Sequence, residues 1–141
     1  MIKSLIFLVI FFVLLSCNKE NSISKKLDGI WTVNRIKVED GEGFSYYDSS
    51  PDGTISFESE LKKISSQVYY EFIGLQGFTI IDTFKLNQNN YIFNAKKDRI
   101  FINSGVDTIN ARIILLTKNS MELEYYDLLK YRLVRFVLSK D

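Results

Sequence analysis

The sequence predicts an all-β fold: an antiparallel up-and-down β-barrel of about eight to nine strands, with a two-sheet β-sandwich as the alternative. Three observations predict it. Apolar residues recur at every second position along most of the chain, turn residues interrupt those runs at short intervals, and no stretch of ten residues carries a helical period. Many short strands with tight links suit a meander, and a meander hides its edges best by closing on itself.

The first element is not a strand. Met1-Ile2-Lys3 places a charge ahead of the apolar run Leu5–Leu15, which stops at Ser16. Spanning a bilayer takes about 20 apolar residues. A shorter apolar body behind a charged head reads as a secretory signal peptide. The only cysteine, Cys17, follows at once, so no disulfide forms within the chain. Asn18–Lys26 is polar and lacks an apolar period, as a short tether does. The expected organisation is a cleaved segment 1–16, a tether 17–26 and one domain 27–141.

From Leu27 onward the period is two. Ile64, Val68, Tyr70 and Phe72 share one face, as do Phe78, Ile80, Phe84 and Leu86 with a single Asp82 among them. Ile109, Ala111, Ile113 and Leu115 alternate with polar neighbours, and so do Met121, Leu123 and Tyr125. Half-buried strands read this way. Turn signals fall at Asp52-Gly53, Gly74–Gly77, Asn87–Asn90, Lys96–Asp98, Asn103–Gly105, Lys118–Ser120 and Asp127–Lys130. One link is long. Glu39–Gly53 carries three glycines, the only proline, and Phe44, Tyr46 and Tyr47. Hairpin links usually take 2–5 residues. Such a loop either folds over a barrel mouth as a gate or stands out in solvent.

Two short motifs carry resemblances. Leu14-Leu15-Ser16-Cys17 resembles the lipobox of bacterial lipoproteins. The resemblance implies that cleavage falls between Ser16 and Cys17, that the Cys17 thiol takes a diacylglycerol, and that the new amine is acylated. Two or three acyl chains would hold the domain on a membrane durably, where one holds only marginally. Asn18, in place of an aspartate, leans towards the outer membrane of a Gram-negative bacterium. Gly29-Ile30-Trp31 resembles the Gly-x-Trp that opens the first strand of lipocalins. That resemblance implies that Gly29 and Trp31 close one end of the barrel, with an arginine from the last strand stacked over the indole. "KYRLVRFVL" offers Arg132 and Arg135, and Arg135, nearer the strand's end, is preferred. Without the resemblance, Trp31 reads as an ordinary core aromatic. Asp107-Thr108-Ile109 resembles an acceptor for O-linked glycans at Thr108.

Composition excludes several chemistries. There is no histidine, which removes histidine-based nucleophilic and metal sites. No cofactor is expected. Loss of Lys3 with the signal brings 18 basic side chains level with 17 acidic ones, so nucleic acid is not an expected partner. Glu58/Glu60 and Glu122/Glu124 read as solvent-facing, and Asp82 reads as a cavity contact, a bulge or a sheet corner. The expectation is a non-enzymatic protein. It either holds a small apolar ligand against Tyr46, Tyr47, Phe57, Tyr70, Phe84, Tyr91, Phe93, Leu115, Leu123 and Tyr125, or fills its barrel with those groups and serves as a structural or interaction lipoprotein. Aromatic residues make up 14% of the chain and suit either role.

Overall fold

The computed structural model describes residues 22–74 and 76–140. The signal segment, Ser16, Cys17 and the start of the tether lie outside them. Nine strands follow a short helix, α1 (22–27): β1 (Gly29–Asp40), β2 (Ser45–Asp48), β3 (Asp52–Glu58), β4 (Lys63–Ile73), β5 (Thr79–Phe93), β6 (Arg99–Asn103), β7 (Thr108–Leu116), β8 (Ser120–Asp127) and β9 (Arg132–Ser139). Each pairs antiparallel with its neighbour, and β9 returns to β1 along Thr32–Asp40. The result is a closed barrel of eight strands, with β2 as an extra strand on β1. Closure pairs the last strand with the first, while β5 meets β6 only along Tyr91–Phe93, so among the described residues the earlier part of β5 is paired on one side alone, with β4.

β1 serves two partners on one side. Its first half, Gly29–Thr32, pairs with β3, and its second half, Ile36–Glu39, pairs with β2. The long link Glu39–Gly53 is therefore neither a floppy gate nor a solvated excursion. It is a hairpin that continues the wall. Asp40 Oδ1 accepts the N–H groups of Glu42 (3.0 Å) and Phe44 (2.9 Å) and so builds the turn. Asp52-Gly53, expected as a turn, begins β3.

Three bulges bend the wall and reset the side-chain parity: at Asn34 in β1, at Asn87–Gln88 in β5 and at Ile114 in β7. Gln88 takes φ 52° there. β5 runs on through the expected turn at Asn87–Asn90, because the extra residues are absorbed without ending the ladder. The bulge at Ile114 also turns Leu115 out of the core face, leaving it 43% exposed.

The inward residues fill the lumen. Trp31, Phe57, Tyr91, Phe136, Met121 and Leu123 are among its fully buried side chains. Phe84, Tyr125 and Phe136 pack ring against ring at 5.0–5.8 Å, and Phe57 meets Tyr91 edge-on at 5.7 Å. Offset and edge contacts at such separations suit aromatic quadrupoles.

One end is plugged. α1, read from sequence as the end of the tether, brings Leu27 into the core with no exposed surface. Trp31 Nε1 donates to the Leu27 carbonyl at 2.7 Å. Ser59 completes the plug, its N–H reaching Asp28 Oδ1 (2.8 Å) and its hydroxyl the Ser24 carbonyl (2.7 Å).

Candidate functional site

The open end lies opposite α1. Here β1, β4 and β8 finish and β2, β5 and β9 begin. Their side chains frame a cleft of about 500 Å³ lined by Val38, Tyr46, Phe72, Phe78, Ile80 and Arg132, with Asp40, Lys130, Gly74 and Gln76 at its margin. Two elements build its apolar side. Tyr46, the inward residue of β2, stacks on Phe72 at 5.3 Å and donates its hydroxyl to Asp40 Oδ2 at 3.0 Å. Burial acts upward on the Asp40 pKa, but hydrogen bonds from Phe44, Tyr46 and Glu42 outweigh it and hold the carboxyl below its ordinary value. It is thus a firm acceptor for the turn. Across the cleft, the start of β5 presents Phe78 and Ile80, which are 71% and 42% exposed. Both are open to solvent and so stand outside the packed core.

The polar side is built by β9 and the turn before it. Arg132 is 7% exposed and sits over the Tyr70 and Phe72 rings at 5.9 and 5.8 Å. It donates to the Tyr70 hydroxyl at 2.9 Å and to Asp82, and lies 3.6 Å from Asp127. Lys130 Nζ meets both Asp82 oxygens at 2.5 and 2.6 Å. Two cations thus share Asp82, while Arg132 Nε is buried without a hydrogen-bond partner among the described residues. Burial pushes the Arg132 pKa down, and Tyr70 opposes the shift. Burial likewise pushes Tyr70 and Tyr125 up, Tyr125 strongly, so both hydroxyls stay protonated near neutrality. Asp82 is accordingly a polar contact of the mouth rather than a marker of a bulge.

The residues expected to contact a ligand fall into four groups. Tyr46 lines the cleft. Tyr70 lies just beneath it through Arg132. Phe57, Phe84, Tyr91, Leu123 and Tyr125 are buried against one another deeper in the barrel, and Phe93 packs near the plugged end under Lys62, 5.1 Å from its ring centroid. Tyr47, 59% exposed, faces outward, as does Leu115. Sequence parity missed Phe72, Phe78, Ile80, Lys130 and Arg132 as cleft residues. Phe72, Phe78 and Ile80 were legible as one face of two neighbouring strands, but the pattern left open whether the aromatic residues line the lumen or fill it.

The expected partner of Trp31 needs correction. Arg135 is on the outer wall, where its Nη2 lies 2.6 Å from Glu124 Oε2, and Arg112 holds the other carboxylate oxygen at 2.7 Å. Glu124, expected in solvent, is only 5% exposed between these two guanidinium groups. Burial raises its pKa, but hydrogen bonds from Arg135 and Arg112 win and lower it. Lys140 takes the place over the indole, with Nζ 4.4 Å from the ring centroid, and donates to the carbonyls of Lys26 and Asp28. It can do so because the chain leaving β9 passes the start of β1 at the plugged end. Gly29 stands there with φ 108°. Thr108 opens β7 and is exposed.

Among the described residues no group of three or more acids and cysteines is placed to hold a metal ion, and no helix is long and apolar enough to cross a membrane.

Fold and site together define a closed, antiparallel up-and-down barrel, plugged at one end by α1 and open at the other onto a partly apolar cleft. No protein-family model matches the chain, and no curated protein matches it. Among solved structures it is similar to a deswapped triple mutant of bovine odorant-binding protein, at 11% identity and a TM-score of 0.41 over 82% of this chain and 74% of that one. It is also similar to the bovine lipocalin allergen Bos d 2, at 12% identity and a TM-score of 0.39 over 84% of this chain and 75% of that one.

Proposed function

We propose that this protein is a lipid-anchored lipoprotein of the bacterial envelope, on the outer membrane of a Gram-negative cell, and that it holds a small, mainly apolar ligand in the mouth of its barrel. The observation that carries the ligand reading is the cleft itself. It is the size of a small-molecule site, its walls are Val38, Tyr46, Phe72, Phe78 and Ile80, and its polar groups gather on one side at Arg132 and Lys130. A ligand with an apolar body and one polar end matches that division. The body displaces water from the exposed Phe78 and Ile80, and the polar end lies against the two cations that share Asp82. The anchor reading is supported by Leu14-Leu15-Ser16-Cys17.

The filled lumen supports a narrower form of the same reading. Phe57, Phe84, Tyr91, Tyr125 and Phe136 occupy the space a deep ligand would need. The ligand therefore sits at the surface of the barrel and exchanges readily. A purely structural lipoprotein would share that filled core, but it would have no need of the open cleft above it.

Mass spectrometry of the protein purified from membranes tests both parts. Under denaturing conditions the chain is expected to begin at Cys17 and to carry acyl groups there. Under native conditions an additional small-molecule mass is expected on the folded barrel. An unmodified Cys17 would refute the anchor, and a barrel with no added mass, even when supplied with envelope lipid extract, would refute the ligand.

A further inference from the structure

The chain is close to electroneutral overall, but its charge is sorted along the barrel axis. At the plugged end, Lys25 and Lys26 lie on α1, Lys62 on the β3–β4 turn and Lys63 at the start of β4. Lys96 and Lys97 lie on the β5–β6 turn, Lys118 on the β7–β8 turn and Lys140 just after β9. Only Asp28, Glu58, Glu60 and Asp98 oppose these eight lysines among the described residues there. At the open end the sign reverses. Asp40, Glu42, Asp48, Asp52, Asp107 and Asp127 lie in the links or at the strand ends of that half, against Lys130 and Arg132 among the described residues there.

The two ends thus present opposite fields. Lys25, Lys26, Lys96 and Lys118 are exposed on three separate elements of the same end, and Leu61, 65% exposed, lies on the β3–β4 turn of that end. An anionic leaflet attracts lysines near its surface by roughly a fivefold factor in affinity each, and repels carboxylates. The described chain also begins at this end, at α1. Five peptide steps separate Cys17 from Ser22, and each spans at most about 3.6 Å. β1, with 12 residues rising about 3.3 Å apiece, separates the ends by more than that link can reach.

We infer that the lysine-bearing plugged end is a contact surface for an anionic bilayer, on which the barrel stands with its mouth directed away from the membrane. The inference rests on the anchored reading for its orientation, though the contact surface itself does not need the anchor. A ligand would then enter and leave on the side remote from the anchoring leaflet.

The test uses the unlipidated chain from Asn18 to Asp141, which contains the whole closed barrel, and vesicles of phosphatidylcholine with or without phosphatidylglycerol. Sedimentation should show binding to the anionic vesicles alone, lost at high salt as screening shortens the range of the field. The quadruple variant K25E/K26E/K96E/K118E, altered only at exposed positions, should lose more than tenfold in affinity. E42K/D107K, reversed at the other end, should keep it. Equal binding to both vesicle types, or equal loss from both variants, would overturn the inference. An unmodified Cys17 in the native protein would defeat the anchor without touching this result.

Discussion

Trp31→Ala is expected to lower the unfolding free energy by about 3–5 kcal/mol, the cost of removing a fully buried large aromatic. Trp31 has no exposed surface and ties three features together at the plugged end. Its ring packs in the core, its Nε1 holds the Leu27 carbonyl, and its face carries the Lys140 ammonium. A cation over an indole contributes roughly 0.5–2 kcal/mol, so Lys140→Met should cost an amount in that range. The double variant should cost less than the sum of the two, because each substitution removes the same contact. Arg135→Ala combined with Trp31→Ala should instead be additive, since Arg135 is engaged with Glu124 on the outside of the wall. Chemical denaturation of the six proteins in these two cycles checks the assignment. Coupling of Trp31 to Arg135, with additivity at Lys140, would reverse it.

Gly53→Ala should be as damaging, for a different reason. Gly53 lies in β3 with φ 133°, a backbone conformation that side chains resist. A Cβ there would come within 2.0 Å of the Gln67 carbonyl oxygen and 2.7 Å of Val68 Cα, both backbone atoms of the facing strand. Neither can move without parting β3 from β4. The expected cost is at least about 4 kcal/mol, at the severe end of single substitutions. Gly43 and Gly105 give the comparison. Each has φ 89° with open space around the missing Cβ, so alanine there should cost only about 1–2 kcal/mol. Similar midpoints for all three variants in urea would show that β4 does not press on Gly53.

The alternation of apolar residues made the strands and the closed barrel legible, because a half-buried wall imposes period two on any sequence that builds it. It failed where the backbone slipped out of that period. One extra residue at Ile114 was enough to move Leu115 from the core face to solvent, and nothing in "RIILLT" distinguishes a straight strand from a bulged one. Trp31 was legible as a closing residue from its neighbours, but its cation was not. Lys140 lies beyond the last strand and reaches back with a long flexible stem, so strand parity does not describe it. The mouth was the least legible part. Asp82 stood out as an acid on an apolar face, yet its partners Lys130 and Arg132 are 48 and 50 residues away in the chain. Only closure of the barrel brings β5 and β9 to one cleft. The link Glu39–Gly53 misled through its glycines and its length, although Asp40, which nucleates its hairpin, was in plain view.

The central claim is that the mouth cleft is a ligand site, and the most direct measurement of it is the titration of an environment-sensitive apolar dye into the unlipidated barrel. The wild-type domain should bind one dye per chain saturably. Ile80→Asp places a charge on the apolar wall at a residue already 42% exposed, so the barrel should remain folded while the dye affinity falls at least tenfold. Leu61→Asp, at a residue of the plugged end that is 65% exposed, should leave it unaltered. Absence of saturable binding to the wild-type protein, or the same affinity in Ile80→Asp, would contradict the claim.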